Sequence, residues 1–365
     1  MNMSRSVGVE EELLLLDAES FEPRALSSAV LASARRGRSG TDEAFDAELQ
    51  RQQLEFATRP QTRMQDLAAE IARWRAEAAR HAESLGAAVA ALATSPLPVS
   101  PTLSTGERYQ WMQERYGLTA DEQLTGGCHV HVSVDSDEEG VAVLDRIRPW
   151  LSVLLAMSAN SPFWQGQDSG YASYRSRVWG RWPSAGPVEI FGSAGRYHEL
   201  VQAMVATGAL RDEGMIYFDA RLSRTYPTVE IRVADVCLNA DDTALLATLV
   251  RALVETAARQ WRDDEPPSRH SVGLLRLATW QAGREGLDGQ LIHPATMEPA
   301  SAETVVRALF DHVRDALEDT DDLVPAQDAL AEILKRGNGA RTQRELLEQT
   351  GSLRDIVARC TLRTI

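Results

Sequence analysis

The sequence predicts an α+β fold, and three observations predict it. Four strand-like segments, "VGVEEELL", "QLEFAT", "CHVHVSV" and "TVEIRV", each set apolar residues on one face and charged or ligand-bearing residues on the other. Longer stretches carry apolar residues at helical spacing. No internal repeat or low-complexity linker divides the chain, so residues 1–365 read as one large domain.

The elements follow in order. Residues 7–16 alternate as a strand, with Val7, Val9, Leu13 and Leu15 on one face and Glu10 and Glu12 on the other; Glu11 lies away from them and is assigned a structural role. Residues 62–93 carry Met64, Leu67, Ile71, Trp74, Ala78, His81 and Leu85 at helical spacing, with Thr62 as N-cap, and "TSPLPVSPT" ends this helix. After "QLTGG" comes the strand "CHVHVSVD", then a helix from about residue 137 through "VLDRIRPWLSVLLAMSAN" that Pro149 kinks or breaks. Residues 161–196 are rich in Gly, Trp, Tyr and Arg and lack a period, which marks an extended functional loop. "YPTVEIRVADV" is a strand, and "NADDTALLATLVRALVETAARQW" is a helix capped by Asn239 or Asp241. From "SRHSVGLLRLATW" onward the chain is mainly helical, with "LEDTDDLVP" as a solvated turn.

Composition narrows the function. A net charge of -15 argues against nucleic acid or an anionic membrane as partner, because the long-range field repels polyphosphate. Cys128, Cys237 and Cys360 form no CxxC pair, and three thiols cannot all be paired within the chain, which points to a reducing, cytoplasmic setting. "MNMSRSVGVEEELL" has no apolar signal core, and "PWLSVLLAM" is too short to span a bilayer. Of the 38 basic residues only Lys335 is a lysine, and "EILKRGNGA" is no phosphate-binding loop. Recognition of phosphate or carboxylate therefore falls to arginine.

Carboxylates gathered on a sheet face repel one another unless a cation sits among them. Mostly oxygen ligands with one imidazole suit Mg²⁺, with Mn²⁺ as the alternative ion. Glu10 and Glu12, Glu55, His129 and His131, and Glu230 with Arg232 supply such a set, although each pair taken alone is weak evidence and more often marks a solvated strand face. Glu48 stands seven residues before Glu55, on the opposite face of a regular strand, so a bulge or bend is needed to join them. In "YASYRSRVWGRWPSAG", Arg175, Arg177 and Arg181 are candidates to grip substrate carboxylate or phosphate, against the plain alternative of arginines stacked on Trp179 and Trp182.

Taken together, "VGVEEELLLLD", "GGCHVHVSV", "MSANSPFW", "SYRSRVWGRWPSAGP" and "YPTVEIRVADVCL" resemble the glutamate-cysteine ligase type 2 family, in its carboxylate-amine ligase subfamily. The resemblance runs from about residue 7 to 260, and more loosely onward through "REGLDG" and "RGNGARTQR". It implies a glutamine-synthetase-like catalytic domain, with a curved antiparallel sheet around the site and helices packed behind it. It also implies ATP-dependent joining of a small carboxylate to an amine, both amino acids, through an acyl phosphate, with weak glutamate-cysteine ligase activity. By the same resemblance Glu10, Glu12, Glu48, Glu55, His129 and Glu230 hold the metals, and Arg232 faces the phosphates, with Arg232 and Glu230 as the catalytic pair. Cys128 is assigned to packing. Two rivals stand beside this reading: a zinc hydrolase built on His129 and His131, and a noncatalytic nucleotide or metabolite sensor on the same scaffold. A homodimer is compatible with the sequence, which does not demonstrate one.

Overall fold

The computed structural model describes residues 4–36 and 45–365. In chain order its first nine strands are β1 (Val7–Asp17), β2 (Phe45–Ala47), β3 (Gln53–Ala57), β4 (Ala87–Ala90), β5 (Gly127–Ser133), β6 (Phe163–Trp164), β7 (Gln167–Asp168), β8 (Ala220–Leu222) and β9 (Thr228–Asp235). Seven of them form one antiparallel sheet in the order β2-β3-β1-β5-β9-β8, with β4 paired to the far end of β1. β6 and β7 make a separate hairpin.

β1 is central because both of its faces find cover. Val7, Val9, Leu13 and Leu15 are sealed in the main core, whereas Leu14 and Leu16 enter a second cluster with Ala90, Leu92, Phe163 and Ile356. A run of four leucines is what a strand buried on both sides requires. The helices Met64–Glu83, Asp137–Ile147, Leu151–Ser158 and Ala240–Arg262 pack behind the sheet, and Val130, Val132 and Ile231 complete that core. The mixed helix and antiparallel-sheet architecture is the predicted fold class.

Several boundaries differ from the sequence reading, each for a local reason. The predicted 62–93 helix ends at Glu83; Gly86, at φ +67°, turns the chain and Ala87–Ala90 pairs with β1. A run of small apolar residues such as "AAVAALA" fits either period, so pairing decides it. The N-cap is Arg63, without a side-chain capping bond, in place of Thr62. Pro149 sits in a 3₁₀ turn, Arg148–Trp150, that separates two helices, Asp137–Ile147 and Leu151–Ser158. Asn239 holds the N-cap position of its helix, yet its side chain accepts no backbone N–H there; its Nδ2 donates to Asp242 Oδ2 at 3.1 Å. The 161–196 segment holds the β6–β7 hairpin and a short helix, Arg175–Trp179. Beyond residue 270 the chain is helical apart from the hairpin of β10 (Gln290–Ile292) and β11 (Pro299–Ser301). Lys335 is exposed in the last turn of the helix Leu323–Arg336. Among the described residues no helix is long and apolar enough to cross a membrane.

Candidate active site

Strand register assembles the site. Glu12 pairs with Glu55, Glu10 with His129, His131 with Glu230, and Glu230 also with Arg221, so one row of ligand groups crosses five strands on the face away from the helices. Side chains from this row line a cavity of about 350 Å³, in the range of small-molecule sites. Glu48 reaches the same cavity through a bend in the chain, one of the two routes its spacing left open. The chain reverses after β2, with Ala47 opposite Leu54, so Glu48 meets Glu55 across a hairpin and hydrogen-bonds to it. No bulge in a single strand is involved.

Two groups of ligand atoms converge to within 4.8 Å: Glu10, His129 and Glu230, and Glu12, Glu55 and His129. His129 stands between them, with Nδ1 3.3 Å from Glu10 Oε2 and Nε2 3.9 Å from Glu12 Oε1. Its Nε2 is buried without a hydrogen bond, and the Gly127 amide donates to Glu12 Oε2 at 2.7 Å. An orphaned imidazole nitrogen among convergent carboxylates fits a divalent cation with oxygen-rich coordination. His131 enters neither group: its Nδ1 meets Thr228 Oγ1 at 3.0 Å and its Nε2 lies 3.3 Å from Glu10 Oε1. The two histidines that the zinc-hydrolase reading needs together are thus not brought onto one metal position among the described residues.

Electrostatics divide the carboxylates into two sets. Burial alone would raise Glu10 and Glu230, but the histidines beside Glu10, and Arg232 and Arg221 beside Glu230, outweigh it and hold both well below the ordinary carboxyl range. Glu48 is pushed up to about 8 by burial and then by Glu12. Burial, followed by Glu48, Glu10 and Glu12, raises Glu55 well above its ordinary value. Burial and then Arg232 lower His129, which favours the neutral imidazole that ligates metal.

The arginines part company here. Arg232 is buried against Glu230, and its guanidinium lies 5.6 Å from the Trp179 ring centre and 6.0 Å from that of Tyr217, on the cavity wall. A register shift aims it. Cys128 pairs with Ala234 and Val130 with Ile231, so β9 takes three steps where β5 takes two, and Arg232 and Val233 together face His129. Arg175 buttresses that bulge from the side of the sheet that carries His129, donating to the carbonyls of Val233 at 3.2 Å and Arg232 at 3.3 Å, and lying 3.9 Å from Asp235. Arg177 is half-buried near Tyr171 and Asp219, and Arg181 is exposed and paired with Glu122. None of Arg175, Arg177 and Arg181 lines the cavity.

Sequence reasoning missed several polar wall residues. Arg221, Arg224, Tyr217 and Tyr226 all line the cavity. The available signal was the pairing of "DARL" with "TVEIRV" around the turn "SRTYP", which reads as a hairpin placing Arg221 against Glu230. Trp179 and Trp182, considered only as packing partners, also form the wall.

The glutamate-cysteine ligase of Francisella tularensis, solved in complex with AMP, matches the fold with a TM-score of 0.72 at 15% identity, covering all of this chain and 89% of that one. A bifunctional glutathione synthetase from Pasteurella multocida matches at 0.70 and 14% identity, covering 99% of this chain and 52% of that one. Fold and site together define an ATP-dependent carboxylate-amine ligase. The chain belongs to glutamate-cysteine ligase family 2 (GCS2), whose model matches residues 6–359. It is 66% identical over 360 residues to a Streptomyces avermitilis protein named "Putative glutamate--cysteine ligase 2-1", with 99% of both chains covered, and 62% identical to a Streptomyces coelicolor relative over the same span.

Proposed function

We propose that the protein activates an amino-acid carboxylate with ATP and transfers the acyl group to an amine, with glutamate and cysteine as the reference substrate pair. The observation that carries this reading is the pair of ligand groups sharing His129, with Arg232 on the wall beside them. Glu10, Glu12, Glu48, Glu55, His129 and Glu230 would hold Mg²⁺, or Mn²⁺ in its place. When bound, such ions neutralise the triphosphate and stabilise charge on the transferred phosphoryl group.

The chain's own residues supply orientation and charge. Glu230 keeps Arg232 directed along the cavity wall, where its fixed fork suits phosphate oxygens. Arg224, on the exposed turn between β8 and β9, adds a cation at the rim. In the proposed route a substrate carboxylate oxygen bonds to the γ-phosphorus as ADP leaves. The amine nitrogen then bonds to the acyl carbon as phosphate leaves, and the nitrogen loses a proton. Cys128, Cys237 and Cys360, free and buried, support a cytoplasmic setting.

Mg²⁺-dependent ADP release, measured across a panel of amino acids with glutamate plus cysteine as reference, tests the reading. Stimulation that requires both an acid and an amine is the expected result. ADP release indifferent to either substrate would overturn it.

A further inference from the structure

Glu11 stands between the two metal-facing carboxylates of β1, yet it points to the opposite side of the sheet, where neither it nor Arg75 is accessible to solvent. Arg75, from the helix Met64–Glu83, donates from Nε and Nη2 to the two Glu11 oxygens, each at 2.7 Å. Its remaining N–H groups reach the carbonyls of Cys237 at 2.8 Å, Leu238 at 3.1 Å and Thr364 at 3.4 Å, and Thr243 Oγ1 donates to Glu11 Oε1 at 2.6 Å. Cys237 and Leu238 lie just beyond β9, after Val236, Thr243 lies in the first turn of the helix Ala240–Arg262, and Thr364 ends the last helix.

One guanidinium therefore fastens β1 to the segment leaving β9, although β5 lies between those strands in the sheet. On the other face, the same two strands present ligand atoms of Glu10 and Glu230 that lie within 4.8 Å of each other and of His129. Neighbouring strands stand about 4.8 Å apart, so strands two positions apart bring side chains together only if the sheet's local shape is held. We propose that the Glu11–Arg75 pair is a positioning device for the metal-binding face: it fixes β1 against β9 from behind and thereby sets the separation of Glu10 and Glu12 from Glu230. The proposal rests on the metal-binding reading given above.

A buried ion pair that only held the fold together would be replaceable by apolar residues of similar volume, because desolvation offsets most of its attraction. That separates positioning from packing. Mn²⁺ affinity, read by electron paramagnetic resonance, and the thermal unfolding midpoint are measured on the full chain for the wild type, for Glu11→Leu combined with Arg75→Met, and for Glu11→Gln. The expected result is that the double variant unfolds near the wild-type temperature but binds Mn²⁺ about tenfold or more weakly, the scale set by residues that orient metal ligands. Recovery of wild-type Mn²⁺ affinity along with stability would overturn the proposal. Glu11→Gln preserves shape and one acceptor, so it decides the matter if the double variant does not fold: weaker Mn²⁺ binding supports positioning, and unchanged binding refutes it. Absence of Mn²⁺ binding by the wild type itself would overturn the metal reading, and the positioning role with it.

Discussion

Arg221 faces Glu230 across the β8–β9 pair and grips both of its carboxylate oxygens, at 2.8 and 3.2 Å, while Arg232 holds one of them from the same strand. Glu230 is thus doubly compensated before any cation or nucleotide arrives. Glu230→Gln should lower ligation by about 10²–10³-fold, the scale of losing one preorganised charge contact, with circular dichroism unchanged. Arg221→Gln should leave Mn²⁺ affinity equal or tighter, because a competing cation is gone, and raise the KM for MgATP by about tenfold. Weaker Mn²⁺ binding in Arg221→Gln would show that the arginine orients the carboxylate and does not compete for it.

The raised carboxyls predict a pH dependence with a definite sign. With Glu48 near 8 and Glu55 well above the ordinary range, the folded metal-free protein binds more protons than the unfolded chain between the usual carboxyl value and about 8. Its stability should fall as pH rises through that window. His131, raised by Glu10 against burial, acts in the same sense, and His129, lowered, opposes it. Thermal unfolding from about pH 5 to about pH 8, with and without Mg²⁺, checks this: the ion should restore stability chiefly at the alkaline end. Equal midpoints there, with and without the ion, would contradict the expectation.

Gly127 has no room for a side chain. A Cβ there would lie 2.4 Å from Arg175 Nη2 and 3.1 Å from His129 Nε2. Because Arg175 is buried and bonded to two carbonyls, it cannot swing aside freely. Gly127→Ala should cost about 1–3 kcal/mol in chemical denaturation and weaken Mn²⁺ binding as well. A stable variant with normal metal affinity would mean that the guanidinium moves readily.

The loop arginines should separate by their surroundings. Arg181→Ala removes an exposed pair with Glu122 and should change stability by less than about 1 kcal/mol and leave both substrate KM values unaltered. Arg175→Leu strips Asp235 of its neighbouring cation and leaves two bulge carbonyls without this donor, so about 3 kcal/mol or more of stability should be lost. A selective KM increase in a stable Arg175→Leu protein would instead indicate direct contact with substrate.

What could be read from sequence depended on whether the cause was local. The alternation of β1 separated Glu10 and Glu12 from Glu11, because period two is a property of the strand itself. Glu48 was legible as a candidate but not as a geometry, since its approach to Glu55 depends on a chain reversal that spacing does not encode. The resemblance set Arg232 at the phosphates and left Arg175 as one of three candidate grips; a one-residue bulge between β5 and β9 turns the first onto the cavity wall and gives the second carbonyls to satisfy. Arg221 escaped notice because a three-residue strand carries too little pattern to reveal its face.

The scarcity of lysine has a chemical consequence for the proposed route through an activated acyl group. Lys335 is the chain's one side-chain amine, exposed at the end of its helix and absent from the cavity wall. Among the described residues every cationic side chain on that wall is arginine or histidine, and guanidinium stays protonated throughout the working pH range. The proposed acyl phosphate is therefore surrounded by charge that can hold it and by no amine that can intercept it. On that route, residue choice suppresses self-modification, and the amine that completes the reaction has to come from solution.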